Sequence, residues 1–439
     1  MLFGLFFGAG NLIFPVYMGQ QAGANLWSAA IGFLITGVGI PLLGVAALGM
    51  SRSSGLLEMS GKVGKKYGMC FTCLLYLTIG PFFAIPRCAS TSFSVGIRPM
   101  LQNEATARWL IWVFSFLFFV AVLWFSFRPG NILTWVGKIL TPLFLIFLAL
   151  VVIAALVSPM GTASSVQPEP AYQQHALFKG ILEGYNTMDA LASLAFGIVV
   201  VNTIRGLGIE EPAAIAGNTV RAGVWGCVIM AVIYVALTLI GAQSRAVYPV
   251  CADGGEALYY IALHYFHRTG TIILAAIVTL ACLKTAVGLI TSCGEMFTEM
   301  FPKGPRYKQW VVIFCLISFL IATMGLSTII SYSIPVLMLL YPLSVTLILL
   351  ALCGKLFGND RRVYAWTTGF TLIAALFDFL KSLPAGIIPA AALEHILHIG
   401  KTLLPFFEIG LGWVCPAVIG LVIGLILRCA NRSKEAAKA

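Results

Sequence analysis

The sequence has 439 residues, of which 60% are hydrophobic and only 10% are charged. A soluble domain carries about 25% charged residues, so this composition excludes a soluble globular protein and indicates a membrane protein. The formal net charge of +11 does not indicate nucleic-acid binding, because in a membrane protein the position of each Lys and Arg relative to the spans decides its role.

Apolar runs long enough to form membrane-spanning helices recur along the whole chain. About 20 mostly apolar residues are needed to cross a bilayer as an α-helix. The sequence therefore predicts an all-α polytopic protein with about twelve spans, at residues 1–19, 26–49, 69–97, 110–127, 132–157, 190–207, 222–242, 270–294, 309–330, 332–354, 363–383 and 410–428.

The first run places the residues Gly-Ala-Gly-Asn at positions 8–11, one turn before Pro15. One interpretation is a glycine face for close helix packing, which is common in membranes. The other is an interrupted helix, whose exposed N–H ends suit a carboxylate and whose exposed C=O ends suit a cation. A packing face requires neither a buried amide nor a missing N–H, so we favour the interrupted helix.

The sixth run repeats this pattern, with Phe196, Gly197 and Asn202 followed by further glycines. Five spans separate the two runs, so the halves would have opposite orientations in the membrane. Inverted repeats with interrupted helices at corresponding positions are typical of secondary transporters. We therefore predict repeats at about 1–157 and 190–354, within one transmembrane domain that covers residues 1–430.

Lys and Arg are concentrated in alternate loops and at the C-terminal end. The positive-inside rule then predicts that both termini, including the tail 431–439, are cytoplasmic. On the opposite side, residues 242–269 are expected to contain a short amphipathic helix. The eleven cysteines and five histidines are interpreted as packing and loop residues, so no metal site and no cofactor are predicted.

Two charged residues close to spans have alternative interpretations. Arg87 could be a structural charge bonded to carbonyl groups that Pro81 and Pro86 leave without donors. It could instead help to gate an outer vestibule by pairing with an acidic residue such as Asp189. For Asp189 itself, capping of the sixth helix is favoured over ion binding.

Four segments resemble one known family in order and spacing: FFGAGNLIFP, YLTIGPFFAIPR, GYNTMDALASLAFGIVVVN and ACLKTAVGLI. They are similar to the branched-chain amino acid:cation symporters of the BrnQ type. This resemblance implies the leucine-transporter fold, with five helices, their inverted copy and two extra helices at 363–428. It also implies import of leucine, isoleucine and valine with sodium ions or protons.

The resemblance further implies roles for individual residues, by way of the more distant sodium:neurotransmitter symporters. The substrate would be bound by Gly8, Ala9, Gly10, Phe196, Gly197 and Ile198. The coupling cation would be bound at two sites formed by Gly4, Phe6, Phe7, Asn11, Ala281, Lys284 and Thr285. An apolar wall at Phe196 would suit a branched aliphatic side chain, and backbone dipoles would suit its zwitterionic end.

Lys284 departs from the pattern that this resemblance implies for the second cation site. A lysine at membrane depth costs roughly 3 kcal/mol on insertion scales. One hypothesis is that its ammonium group occupies or abuts that site, which would make the protein proton-driven or less dependent on sodium. The alternative is a static counter-charge, or a side chain that extends toward the interface.

The sequence also bears on functions other than transport. A membrane-embedded enzyme would need a catalytic constellation, but the carboxylates near the spans, such as Asp378, Glu295 and Glu299, are interpreted as lying at span edges. A channel commonly assembles its filter from several subunits, and a symporter for another neutral amino acid is a further alternative. Only seven residues precede Gly8, so we expect either an upstream start codon or a truncated first half-helix.

Overall fold

The computed structural model describes residues 7–51, 53, 55–101, 103–127, 141–196, 212–384 and 386–436. These residues form α-helices and short 3₁₀ or π turns and contain no strand, so the predicted all-α class is confirmed. In chain order the helices are α1 (Ala9–Ala22), α2 (Leu26–Leu34), α3 (Ile40–Ser51), α4 (Leu56–Gly61), α5 (Lys65–Leu77), α6 (Ala84–Gly96), α7 (Glu104–Ser126), α8 (Thr141–Val157), α9 (Pro170–Gln173), α10 (Ala176–Tyr185), α11 (Pro212–Ser244), α12 (Gly254–Met300), α13 (Tyr307–Ala322), α14 (Leu326–Cys353), α15 (Arg361–Lys381), α16 (Ala390–Leu403) and α17 (Val414–Ala436). Residues 189–196 are also helical.

Eight helical stretches of the described chain are long and apolar enough to cross a membrane. Two shorter apolar helices, Leu145–Val157 and Tyr307–Ala322, coincide with predicted spans five and nine. The sixth predicted span continues beyond residue 196, where the description stops. Multiple membrane-spanning helices are therefore confirmed, and the number twelve stays a prediction.

Two helix boundaries differ from those predicted. The ninth and tenth spans were separated near residue 331, but the turn lies at 323–325, where Gly325 has φ +88°. Glycine adopts this left-handed conformation without the strain of a Cβ atom. The amphipathic helix predicted within 242–269 is present and begins at Gly254, but it continues into the eighth span through a kink at His267.

The contacts divide the chain into two packing units. The first contains residues 1–38, 76–188 and 226–330. Within it, α1 and α11 cross so closely that backbone touches backbone. A Cβ atom added at Gly19 would overlap the carbonyl oxygen of Thr238, and one at Gly241 would overlap that of Val16.

The segment that follows α8 in the first unit is packed against the rest of the unit. The amide of Ala24 donates to Val166 O (2.9 Å), and that of Glu169 donates to Gln21 O (2.9 Å). Further along, α10 crosses α2 and the π turn that follows it at Ile35–Gly39, where the hydroxyl of Thr36 donates to Ile181 O (2.7 Å).

Glycines permit this second crossing. A Cβ atom at Gly180 would overlap the carbonyl oxygen of Ala29, and one at Gly32 would overlap that of Leu177. Small residues at such contacts allow helix backbones to approach closely. The segment from the end of α8 to α10 is therefore a packed part of the first unit.

The second unit contains residues 39–75, 189–225 and 331–439. Its helices α15 and α17 pack at Gly420 and Gly424, where added Cβ atoms would press on the backbone of residues 366 and 363. Val345, Ala374 and Trp413 form a buried apolar cluster in this unit.

Candidate functional site

The first helix of the described chain begins at the predicted glycine motif. Gly8 is extended and buried, and α1 starts at the next residue, Ala9. The backbone N–H of Gly8 donates to Oδ1 of Asn11 (3.1 Å), so the side chain of Asn11 caps the helix start. First-turn N–H groups have no acceptor within an α-helix, so this buried helix end is suited to an anionic ligand.

Tyr234 fixes the orientation of the Asn11 side chain. Because the N–H of Gly8 can donate only to the amide oxygen, the Nδ2 group of Asn11 faces the hydroxyl oxygen of Tyr234 and donates to it. Asn11 is 2% exposed and Tyr234 is 1% exposed. The tyrosine ring stacks on Phe7 (centroids 6.5 Å apart) and meets Phe33 edge-on (5.1 Å).

Replacing Tyr234 with phenylalanine should loosen this helix start. The substitution would leave the buried Nδ2 group without this acceptor, which costs about 1–3 kcal/mol. We expect faster hydrogen–deuterium exchange at the amide of Gly8, measured by mass spectrometry. Tyr364→Phe is a matched control, because it also removes a buried hydroxyl, one that donates to Leu350 O; equal exchange at Gly8 in both variants would contradict the expectation.

Arg87 lies directly beside the start of α1. It is 4% exposed, its Nη1 donates to the carbonyl oxygen of Asn186 (2.7 Å), and its guanidinium carbon lies 5.0 Å from the ring centroid of Phe14. A Cβ atom on Gly10 would lie 2.8 Å from Nη2. The structural interpretation specified carbonyls that Pro81 and Pro86 leave without donors, whereas the carbonyl that Nη1 contacts belongs to Asn186.

Helix α12 brings the predicted cation-site residues toward the same helix start. A Cβ atom on Gly8 would lie 3.2 Å from the Cγ2 atom of Thr285. The hydroxyl of Thr285 donates to the carbonyl oxygen of Ala281 (3.1 Å), which is the ordinary bond of a threonine to its own helix. Ala281, Lys284 and Thr285 are all half-buried, and Gly288 on the next turn has open space where a side chain would be.

Several of the predicted site residues lie within the first packing unit. Phe7, Gly8, Gly10, Asn11 and Thr285 lie near one another in the first packing unit. Phe196 is buried at the end of the helical segment 189–196, in the second unit. The remaining predicted residues that lie outside the described structure are Gly4, Phe6, Gly197 and Ile198.

Sequence reasoning missed Tyr234 and the contact of Arg87 with Gly10. Tyr234 lies in the apolar stretch AVIYVALTLI, where its only distinguishing feature is a phenolic hydroxyl. A buried tyrosine normally finds a hydrogen-bond partner for this group, but its partner lies 223 residues away. No local pattern indicates such a pairing.

A cavity of about 520 Å³ lies at the predicted outer ends of α6, α7 and α12. Asp253, which caps α12, lines it together with Ser94 and Glu256. Burial raises the pKa of Asp253, although hydrogen bonds from the backbone of Glu256, the Ser94 hydroxyl and the backbone of Gly255 oppose the shift. These bonds explain Asp253 as a helix cap.

The sequence is closely similar to known permeases over nearly its whole length. It is 52% identical over 419 residues to the branched-chain amino acid permease BrnQ of Lactobacillus delbrueckii subsp. lactis, covering 95% of this chain and 93% of the relative. It is 42% identical to the BrnQ permease of Bacillus subtilis, covering 97% and 95%.

Solved structures show the same fold at low sequence identity. Mhp1, a nucleobase-cation-symport-1 family transporter, matches with a TM-score of 0.59 and 13% identity over 98% of this chain and 91% of its own. MhsT in complex with L-phenylalanine matches with a TM-score of 0.55 and 15% identity, over 98% and 96%. The family model described as "Branched-chain amino acid transport protein" matches residues 1–431, and this chain therefore belongs to that transporter family.

Proposed function

We propose that this protein is a secondary active symporter that imports leucine, isoleucine and valine across the cytoplasmic membrane, driven by a sodium or proton gradient. Permeases named for branched-chain amino acids at 42–52% identity support the substrate class. Both termini would be cytoplasmic, in accordance with the distribution of Lys and Arg. The partners would be the substrate, the coupling cation and the lipid bilayer.

The observation that carries this proposal is the buried start of α1. An α-amino acid brings a carboxylate, which the first-turn N–H groups after Gly8 and the guanidinium of Arg87 would both favour. Backbone carbonyl oxygens around an interrupted helix would bind the amino group or a cation. No cofactor is needed for such a cycle, and the family consists of transport proteins.

The coupling cation is addressed by uptake measurements. Radiolabelled leucine uptake into proteoliposomes should exceed that of empty liposomes under a sodium gradient or a proton gradient, applied separately, and unlabelled isoleucine and valine should compete. Saturable counterflow would separate a carrier from a channel. Absence of leucine uptake under both gradients would contradict the proposed function. If only other neutral amino acids competed, the protein would be a symporter for a different class of neutral amino acid.

Lys284→Thr tests the hypothesis for the second cation site. If the ammonium group of Lys284 takes the place of a sodium ion, wild-type protein should transport leucine with a proton gradient and no sodium, and the variant should become sodium-dependent. Lys401→Thr is a suitable control, because Lys401 is an exposed lysine paired with Glu408. Identical sodium dependence of wild type and Lys284→Thr would contradict this role.

A further inference from the structure

One carboxyl group in the second packing unit is buried without a hydrogen-bond partner among the described residues. Asp378 lies near the end of α15 and is 2% exposed. Both of its carboxyl oxygens are inaccessible, and neither accepts a hydrogen bond from the described chain. Because the great majority of buried polar atoms have partners, this group requires a physical explanation.

The lysines near this end of α15 make other contacts. Lys381 donates from Nζ to the carbonyl oxygens of Phe407 (2.9 Å) and Glu408 (3.0 Å) and lies over the Phe407 ring. Lys401 forms an ion pair with the side chain of Glu408 (2.9 Å). None of the ion pairs between described residues includes Asp378.

The helices around α15 bring no further charge to this position in the described structure. Helix α14 contains no charged residue, and the charged residues of α17 begin at Arg428, near its far end. The remaining ionisable groups of α16 are exposed; they are Glu394, His395 and His398.

A nearby hydrogen-bond donor is also not directed at this carboxyl. Trp413 packs with Ala374, which lies one turn before Asp378 on α15. Its indole N–H is buried and has no acceptor among the described residues. If Asp378 were ionised, its charge would favour a bond from any donor within reach, and no such bond is present.

These observations favour a neutral carboxyl group. An ionised carboxylate would lose its hydration here without gaining a hydrogen-bond donor, and such burial is very costly. The ammonium group of Lys381 interacts with Asp378 electrostatically, but it donates its hydrogen bonds to carbonyl oxygens instead. Ionisable residues within membrane segments otherwise pair with one another or mark ion pathways. We propose that Asp378 is a proton-binding site of the membrane domain, whose carboxyl group carries a proton in the folded protein at neutral pH.

Infrared difference spectroscopy tests this proposal directly. Asp378→Asn is neutral and nearly isosteric, so it removes the carboxyl group with little change of shape. The spectrum of wild-type protein in lipid minus that of the variant should show the C=O stretch of a protonated carboxyl, shifted in D₂O. Carboxylate bands in the same difference spectrum at neutral pH would overturn the proposal.

Three further measurements complete the test. Asp360→Asn is a matched control on the same helix, because Asp360 caps α15 by accepting from the Arg362 amide (2.8 Å); its difference spectrum should show carboxylate bands.

A comparison of sodium chloride with potassium chloride tests for a bound metal ion. If Asp378 showed carboxylate bands that changed between the two salts, it would bind an alkali-metal ion, and the proposal that it binds a proton would be overturned. Should Asp378→Asn fail to fold, Asp378→Glu should shift the protonated band rather than remove it.

Discussion

Replacing Gly19 with alanine is expected to lower the melting temperature of the purified protein strongly and to reduce its accumulation in the membrane. The added Cβ would overlap the carbonyl oxygen of Thr238 on α11. Backbone cannot move aside as a flexible side chain can, so α1 and α11 would have to separate. Overpacking of this kind typically costs 1–3 kcal/mol and occasionally more, and here it would also disturb the contact of Asn11 with Tyr234.

Gly369→Ala provides the comparison for this substitution. Gly369 lies within α15 and has no atom within 4 Å of an added Cβ. Alanine is favoured over glycine by up to about 1 kcal/mol in a helix, so the melting temperature should stay the same or rise. Equal melting temperatures for the Gly19 and Gly369 variants would show that the crossing of α1 and α11 is looser than described.

Arg87→Lys should reduce leucine uptake at least tenfold, which corresponds to about 1.4 kcal/mol. The guanidinium contacts the Asn186 carbonyl, the Phe14 ring and the face of Gly10 simultaneously. A lysine ammonium is a compact charge without the planar, forked geometry that these contacts use. Initial uptake rates, normalised to the amount of transporter in the membrane, would measure the loss.

Arg98→Lys is the control for Arg87→Lys. It shows whether loss of any guanidinium group reduces uptake, or only loss of the one at the start of α1. The Arg98 side chain is 40% exposed and forms an ion pair with Glu104. Exposed pairs contribute little, so uptake should stay within about twofold of wild type. If Arg87→Lys transported equally well, the guanidinium geometry at the start of α1 would be unimportant for transport.

The sequence was sufficient for the features that depend on local composition. Apolar runs predicted the membrane class and most spans because burial in lipid requires a continuous apolar stretch. The glycines at positions 8 and 10 predict an interruption of the first apolar run, and the described helix α1 begins there, at Ala9. Local composition does not fix helix ends, and the turn at Gly325 lies several residues before the boundary that the apolar runs predict.

Features that depend on contacts between distant helices could not be predicted. The partnership of Asn11 with Tyr234 and the backbone contacts at Gly19 and Gly241 join residues more than 200 positions apart. The burial of a single side chain could not be predicted from the sequence either. The sequence indicates that Asp378 is a carboxylate at the edge of a span, and the structure buries it almost completely. The roles of Phe196 and Lys284 in binding stay predictions.

The segment after α8 has a consequence for motion. It is joined to the first helices at Val166, Glu169 and Gly180, through backbone hydrogen bonds and a contact that only glycine permits. Because these three contacts hold residues 158–185 against the first helices, this segment is not a flexible linker. We therefore expect residues 158–185 and residues 21–36 to move together.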